Sequence, residues 1–195
     1  GSWNSIKPTI DIFGGLTKNS AVRVNGSYES KNSFRDIVSS EKHYFNPSFL
    51  FNLSDNTQII AEADYLKHQF TPDFGLGGLV LNPTTSESKL NNILGINDFL
   101  GATWQKQTNE MLTSTVTLNH EINSHWNFNT VAFFQDYTKD FYGTERIQWN
   151  LQSNGEYVWK RTLNKQLQKQ KYGSLQFNLN GHFKTGKYSH KLLLG

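Results

Sequence analysis

The chain has 195 residues, of which 36% are hydrophobic and 14% aromatic, with no cysteine and a net charge of +3. The aromatic share argues against disorder, and the missing cysteine excludes a disulfide framework, a thiol nucleophile and a thiolate metal site. No apolar run approaches the roughly 20 residues of a membrane-crossing helix, so only strands are left as a way through a bilayer. The lysines are scattered among acids, and the densest stretch, 160–171, reads as a solvated Gln/Lys-rich loop rather than a nucleic-acid footprint.

Alternation with period two marks eight strands, because successive side chains of a strand point to opposite faces. The first covers about 6–13, with Ile6, Pro8, Ile10 and Ile12 opposing Lys7, Thr9 and Asp11. In the second, about 20–29, Val22, Val24 and Tyr28 oppose Arg23, Asn25, Ser27 and Glu29. The third, ending at Leu53, sets Phe45, Pro47, Phe49 and Phe51 against Asn46, Ser48 and Asn52. After Ser54-Asp55-Asn56 the fourth sets Ile59, Ala61, Ala63 and Tyr65 against Gln58, Glu62 and Asp64. The fifth (about 104–121), sixth (126–137), seventh (171–183) and eighth (188–194) repeat the pattern, as in Leu175, Phe177 and Leu179 against Ser174, Gln176 and Asn178. Pro47 has no N–H for a ladder, so local irregularity is expected there.

The connections alternate in length. Residues 16–19, 54–56, 122–125 and 184–187 are tight and rich in turn formers, whereas 30–42, 70–102 and 138–170 are long. In an up-and-down meander all the short turns then lie at one end and all the long loops at the other. That sorting, with one apolar and one Asn/Gln/Ser/Thr face per strand, is the pattern of a barrel bathed in lipid outside and water inside.

Three stretches carry a family resemblance: "SFRDIV" (33–38), "FNPSFLFNLSDNTQIIAEADYLKHQFTPDFGL" (45–76) and "SHKLLLG" (189–195). They resemble TonB-dependent outer-membrane receptors for ferric siderophores, closest to the ferrichrome-receptor-like group. The resemblance implies that residues 1–195 are part of a 22-stranded transmembrane barrel, about strands two to nine, without the plug domain and the remaining strands. It implies an outer-membrane location in a Gram-negative bacterium, contact with outer-membrane lipid, and import of a ferric siderophore energised through the TonB complex by way of the missing plug. Importers of glycans or cobalamin share that architecture. A soluble β-sandwich acting as a carbohydrate-binding module is a further alternative, and it requires a second sheet over the apolar faces.

No enzyme is expected, since no Ser/His/acid set assembles at the loop end. Glu62 and Asp64 share a face, the spacing of a general acid/base pair or cation site, but lining of a watery lumen accounts for them better. The histidines at 43, 68, 120, 125, 182 and 190 lack metal-ligand spacing, so no metal site is expected. "GLGG" (75–78) lacks the context of a dinucleotide loop. Aromatic residues in the long loops are the ligand candidates: Phe74 in the fourth-to-fifth connection, and Tyr142, Trp149, Tyr157 and Trp159 in the sixth-to-seventh. Trp126 at the turn end, with Tyr28 and Tyr65 at the other, reads as interfacial girdle.

Overall fold

The structure is a computed structural model that describes residues 2–76, 78–82, 87–90 and 94–195. After a single 3-10 turn at Ser2–Asn4 come β1 (Thr9–Thr17), β2 (Ser20–Asn32), β3 (Ser39–Ser54) and β4 (Thr57–Phe70). They are followed by β5 (Gly78–Asn82), β6 (Glu87–Leu90), β7 (Lys106–Asn123), β8 (Trp126–Thr144), β9 (Gln148–Leu151), β10 (Tyr157–Lys160), β11 (Leu163–Thr185) and β12 (Tyr188–Leu194). Eight of these form one sheet in the order β1-β2-β3-β4-β7-β8-β11-β12, while β5–β6 and β9–β10 are separate two-stranded hairpins. Every pairing is antiparallel, so the sheet is the expected all-β meander, left open between β1 and β12.

The four short turns share one end, and three are built alike. Asn19 N–H donates to Thr17 Oγ1 at 3.1 Å, Asn56 N–H to Ser54 Oγ at 3.3 Å, and His125 N–H to Asn123 Oδ1 at 2.9 Å. In each, a side-chain oxygen satisfies the N–H two residues on, inside the tightest part of the bend. The fourth turn instead uses Gly186 in the left-handed region, φ +59°.

The sequence placed strand ends less well than strand centres. Ile6 forms only an isolated bridge with Ser30, and the first strand starts at Thr9, after Pro8. The fifth sheet strand starts at Lys106 rather than near Trp104. The largest differences are in the sixth and seventh, which reach Thr144 and start at Leu163, so most of 138–170 is strand and the Gln/Lys-rich stretch 160–171 lies largely on β11. The ladder between them runs without a break from Leu163↔Thr144 to Gly181↔Trp126. Hydrophobic alternation fades where both faces meet water, but backbone pairing does not depend on it.

In register, the two faces resolve into rows. On one face Val22, Phe49, Ala61, Val116, Ala132 and Leu175 are successive partners across six strands. Further toward the loop end the same face turns polar along Tyr28, His43, Lys67, Glu110, Thr138 and Lys169. The apolar face is uncovered: Phe45 is 47% exposed and Leu53 63%. Phe141 is the one buried large apolar side chain among the described residues. Among the described residues the sheet is thus a single layer without a core, and none of them forms the second sheet over its apolar face that the soluble-sandwich alternative requires.

Pro47 behaves as expected. The β3–β4 ladder passes from Phe45↔Tyr65 to Ser48↔Glu62, skipping Asn46 and Pro47 without any change of register, while β2–β3 pairing continues through Val24↔Pro47. The missing N–H therefore faces β4.

Candidate functional site

The polar face carries three layers. Nearest the turns, Asn52, Gln58, Asn119, Asn129 and Asn178 form one register row across β3, β4, β7, β8 and β11. Gln58 Nε2 donates to Asn52 Oδ1 (3.1 Å), Asn129 Nδ2 to Asn119 Oδ1 (2.8 Å) and Asn178 Nδ2 to Asn129 Oδ1 (3.1 Å). The row borders an open trough of about 940 Å³. This row went unnoticed in the sequence, although its signal was there: one carboxamide per strand at matched distances from the turns.

The middle layer is organised by Asp64. Its Oδ1 accepts from Tyr44 O–H at 2.6 Å and from Asn46 Nδ2 at 2.9 Å, and its Oδ2 from Thr113 Oγ1 at 3.1 Å. Three donors from β3 and β7 make this carboxylate a fixed acceptor that ties those strands to β4. Glu62, two residues away, is exposed, and the described residues contain no cluster of three or more metal-ligating side chains. The histidines do not converge: His68 pairs with Ser40 Oγ (2.9 Å), His120 with Thr57 Oγ1 (2.9 Å), His43 with Glu41 (3.0 Å) and His125 with Ser124 Oγ (3.0 Å).

The third layer is the loop end. Gln105, 4% exposed, receives Ala102 N–H (3.0 Å) and Thr144 Oγ1–H (3.0 Å) at Oε1, and its Nε2 donates to the Pro72 carbonyl. The two ends of the β4–β7 connection and the end of β8 therefore meet on one buried amide. Beside it Phe74, 43% exposed, lines an open concavity of about 520 Å³ with Gln107, Lys139, Phe141, Arg146 and Gln166. Lys139 Nζ donates to Gln166 Oε1 at 3.3 Å and lies 6.0 Å from the Phe141 ring centroid. Asn164 and Glu145, joined at 2.9 Å, complete the rim. Two cations, one carboxylate, two phenyl rings and neutral amides suit a polar ligand that offers both hydrogen-bonding and apolar surface, and the volume falls within the ~300–1,000 Å³ of small-molecule sites.

The other aromatic candidates fall elsewhere. Tyr142 is on β8 rather than in a loop, on the face opposite Phe141, where its ring tilts against Trp104 at 4.7 Å and Lys165 Nζ lies 5.9 Å from its centroid. Trp149 and Trp159 are register partners in the β9–β10 hairpin, as are Leu151 and Tyr157. Of the "GLGG" stretch, Gly75 adopts φ +76°, and Gly77 lies outside the described residues. The girdle candidates occupy opposite ends of the apolar face. Trp126 lies so close over Gly181 that a Cβ there would meet its ring at 2.4 Å, and it stacks on Phe183 at 6.1 Å. Tyr28 is 5.0 Å from the His43 ring, and Tyr65 O–H donates to Glu110 Oε1 at 2.7 Å.

Comparison with known proteins agrees with the resemblance read in the sequence. No protein-family model matches the chain. The metal-pseudopaline receptor CntO of Pseudomonas aeruginosa is 25% identical over all of this chain and 26% of its own length, so the chain spans about a quarter of the curated relatives it matches. Among solved structures, the ferric-catecholate import receptor Fiu of Escherichia coli superposes on 98% of the chain with a TM-score of 0.80 at 22% identity, over 29% of its own length. The ferripyoverdine receptor of the outer membrane of Pseudomonas aeruginosa does so on 98% with 0.81 at 21% identity, over 25% of its length. The siderophore receptor PiuA of Acinetobacter baumannii does so on 99% with 0.76 at 18% identity, over 28% of its length. The chain has the fold of a segment of these receptors, and none of these relatives is described as an enzyme.

Proposed function

We propose that this chain is a barrel segment of a Gram-negative outer-membrane importer that binds a metal chelate, a ferric siderophore in the first place, and takes it up with energy supplied through TonB in the whole protein. The observation that carries the reading is a single-layer sheet whose apolar face has no cover among the described residues, while its other face is lined mainly with amides, hydroxyls and carboxylates, interrupted by Leu50, Ile60 and Val131. Such a sheet is stable when lipid covers the first face and water fills the space beside the second. The nine residues from Phe45 to Leu53 extend ~26 Å at ~3.3 Å per residue, enough to cross most of a hydrocarbon core when tilted. The row led by Tyr28 and His43 then sits at the outer interface and Trp126 at the periplasmic one.

In this reading the concavity at Phe74 is the ligand mouth, with the phenyl ring packing on the chelator and Lys139 and Arg146 meeting its negative charge. The metal arrives as cargo inside its chelator. Trp149, Tyr157 and Trp159 belong to the β9–β10 hairpin of the β8–β11 connection, which also carries Arg146, and are kept as further contacts. Tyr142 is not, because its ring faces the membrane side. The likeness to a metal-pseudopaline receptor supports a second ligand class, metal-pseudopaline chelates.

The test is a binding panel on the full-length protein: ferric hydroxamate, ferric catecholate and metal-pseudopaline chelates, followed by quenching of tryptophan fluorescence. One class is expected to bind at micromolar concentration or below, and Phe74→Ala to weaken it about tenfold, the scale of one lost aromatic contact. Growth on the same chelate as sole metal source should require both the receptor gene and TonB. Failure of every chelate to bind, with uptake unchanged on gene deletion, would overturn the reading.

A further inference from the structure

The residues on either side of Phe74 are held far more tightly than its exposed ring suggests. Asp73 Oδ1 accepts from Gly75 N–H at 2.9 Å, closing a short turn around Phe74 that the positive φ of Gly75 completes. Asp73 Oδ2 lies 2.9 Å from Arg35 Nε, in an ion pair whose side chains are only 14% and 24% exposed. Arg35 comes from the β2–β3 connection, 33–38, and its Nη1 also donates to the Asp98 carbonyl at 2.9 Å. The neighbouring Asp36 N–H donates to the Asn97 carbonyl at 2.9 Å. One guanidinium thus spans three parts of the loop end, and its carboxylate partner immediately precedes Phe74. An exposed ion pair adds little to stability. A half-buried one that joins segments far apart in sequence instead fixes geometry, since the planar guanidinium holds two acceptors in set directions.

We infer that Arg35 is the positioning residue of the ligand mouth: acting through Asp73, it sets where the Phe74 ring stands in the concavity. This rests on the reading of Phe74 as a ligand contact, but it can be tested without ligand. A nitroxide on Phe74→Cys in the full-length protein, with any other cysteine replaced, reports the ordering of that position by electron paramagnetic resonance. Arg35→Gln is expected to convert a slow spectrum into a largely fast one. Asp73→Asn, which keeps an acceptor for Gly75 N–H, should do the same. The double variant should add nothing to either single change, and Arg35→Lys, which keeps the charge but not the fork, should restore less than half of the slow component. An unchanged spectrum in Arg35→Gln, additive loosening in the double variant, or equal loosening of a control label at Gln170 on β11 would each overturn the inference. Chelate binding then separates the two claims: if Arg35→Gln loosens position 74 but Phe74→Ala binds like the native protein, the positioning stands and the ligand reading of Phe74 falls.

Discussion

The Asn46 carboxamide nitrogen lies 3.0 Å from the carbonyl oxygen of Ala63, at the point in the ladder where Pro47 has no N–H to offer. The side chain before the proline thus supplies the hydrogen bond that the proline cannot, and the β3–β4 register passes through unchanged. The same nitrogen reaches Asp64 Oδ1 at 2.9 Å, linking the repair to the carboxylate network of the polar face. Asn46→Ala is expected to cost about 1–3 kcal/mol, the scale for leaving an acceptor unsatisfied. In a Pro47→Val background the ladder can supply its own N–H, so the same change should cost less. Urea unfolding of the full-length protein in lipid vesicles measures both.

The two faces predict opposite responses to charge. Phe49 and Ser48 are neighbours on β3, one in the apolar row and one facing the amides. Phe49→Lys should cost about 2–4 kcal/mol if that row lies near mid-membrane, whereas Ser48→Lys should be tolerated. The check is the fraction of full-length protein that folds into vesicles and keeps its heat-modifiable mobility on gels. Equal damage from both changes would refute the lipid assignment of the Phe49 face.

Tyr44 and Asp64 form a 2.6 Å contact on the polar face. Tyr44→Phe and Asp64→Asn are each expected to lower stability by about 1–2 kcal/mol, and the double variant by less than the sum, since each breaks the same charge-assisted bond. Additive losses would mean that the two groups act independently.

Gly181 gives Trp126 a place to lie. Gly181→Val adds atoms where the ring now sits, so the indole must swing off β11 and lose its stacking on Phe183. A loss of about 1–3 kcal/mol is expected, measurable by the same urea unfolding, while Gly14→Val, where a Cβ would meet nothing within 4 Å, should be near neutral.

These tests rest on features of unequal legibility. The eight sheet strands, their order and the sorting of turns and loops followed from period-two alternation and turn chemistry, because in a one-layer sheet a residue's face largely decides its polarity, Leu50, Ile60 and Val131 on the polar face being exceptions. The strand ends did not follow. Lys165, Gln166, Lys169 and Gln170 lie beyond the apolar row, where polar residues occupy both faces and the alternation disappears, so they read as loop although their backbone is paired. The loop end was the least legible. Arg35, Asp73 and Gln105 are far apart in sequence, and only the folded connections bring them together. Phe74 lies in the connection assigned to it and lines the loop-end concavity, whereas Tyr142 lies on a strand, because β8 runs seven residues past the end assigned from alternation, Tyr137, to Thr144.

The carboxamide row at the turn end separates two kinds of discrimination. Asn52, Gln58, Asn119, Asn129 and Asn178 offer donors and acceptors in equal measure and carry no formal charge, so the row itself favours neither sign, and what charge the trough has comes from Asp55 and Glu121 nearer the turns. Lys139 and Arg146 stand at the opposite end. In the proposed importer a chelate would therefore meet Lys139 and Arg146 first, then the Glu62 and Asp64 carboxylates, and only last the neutral amides.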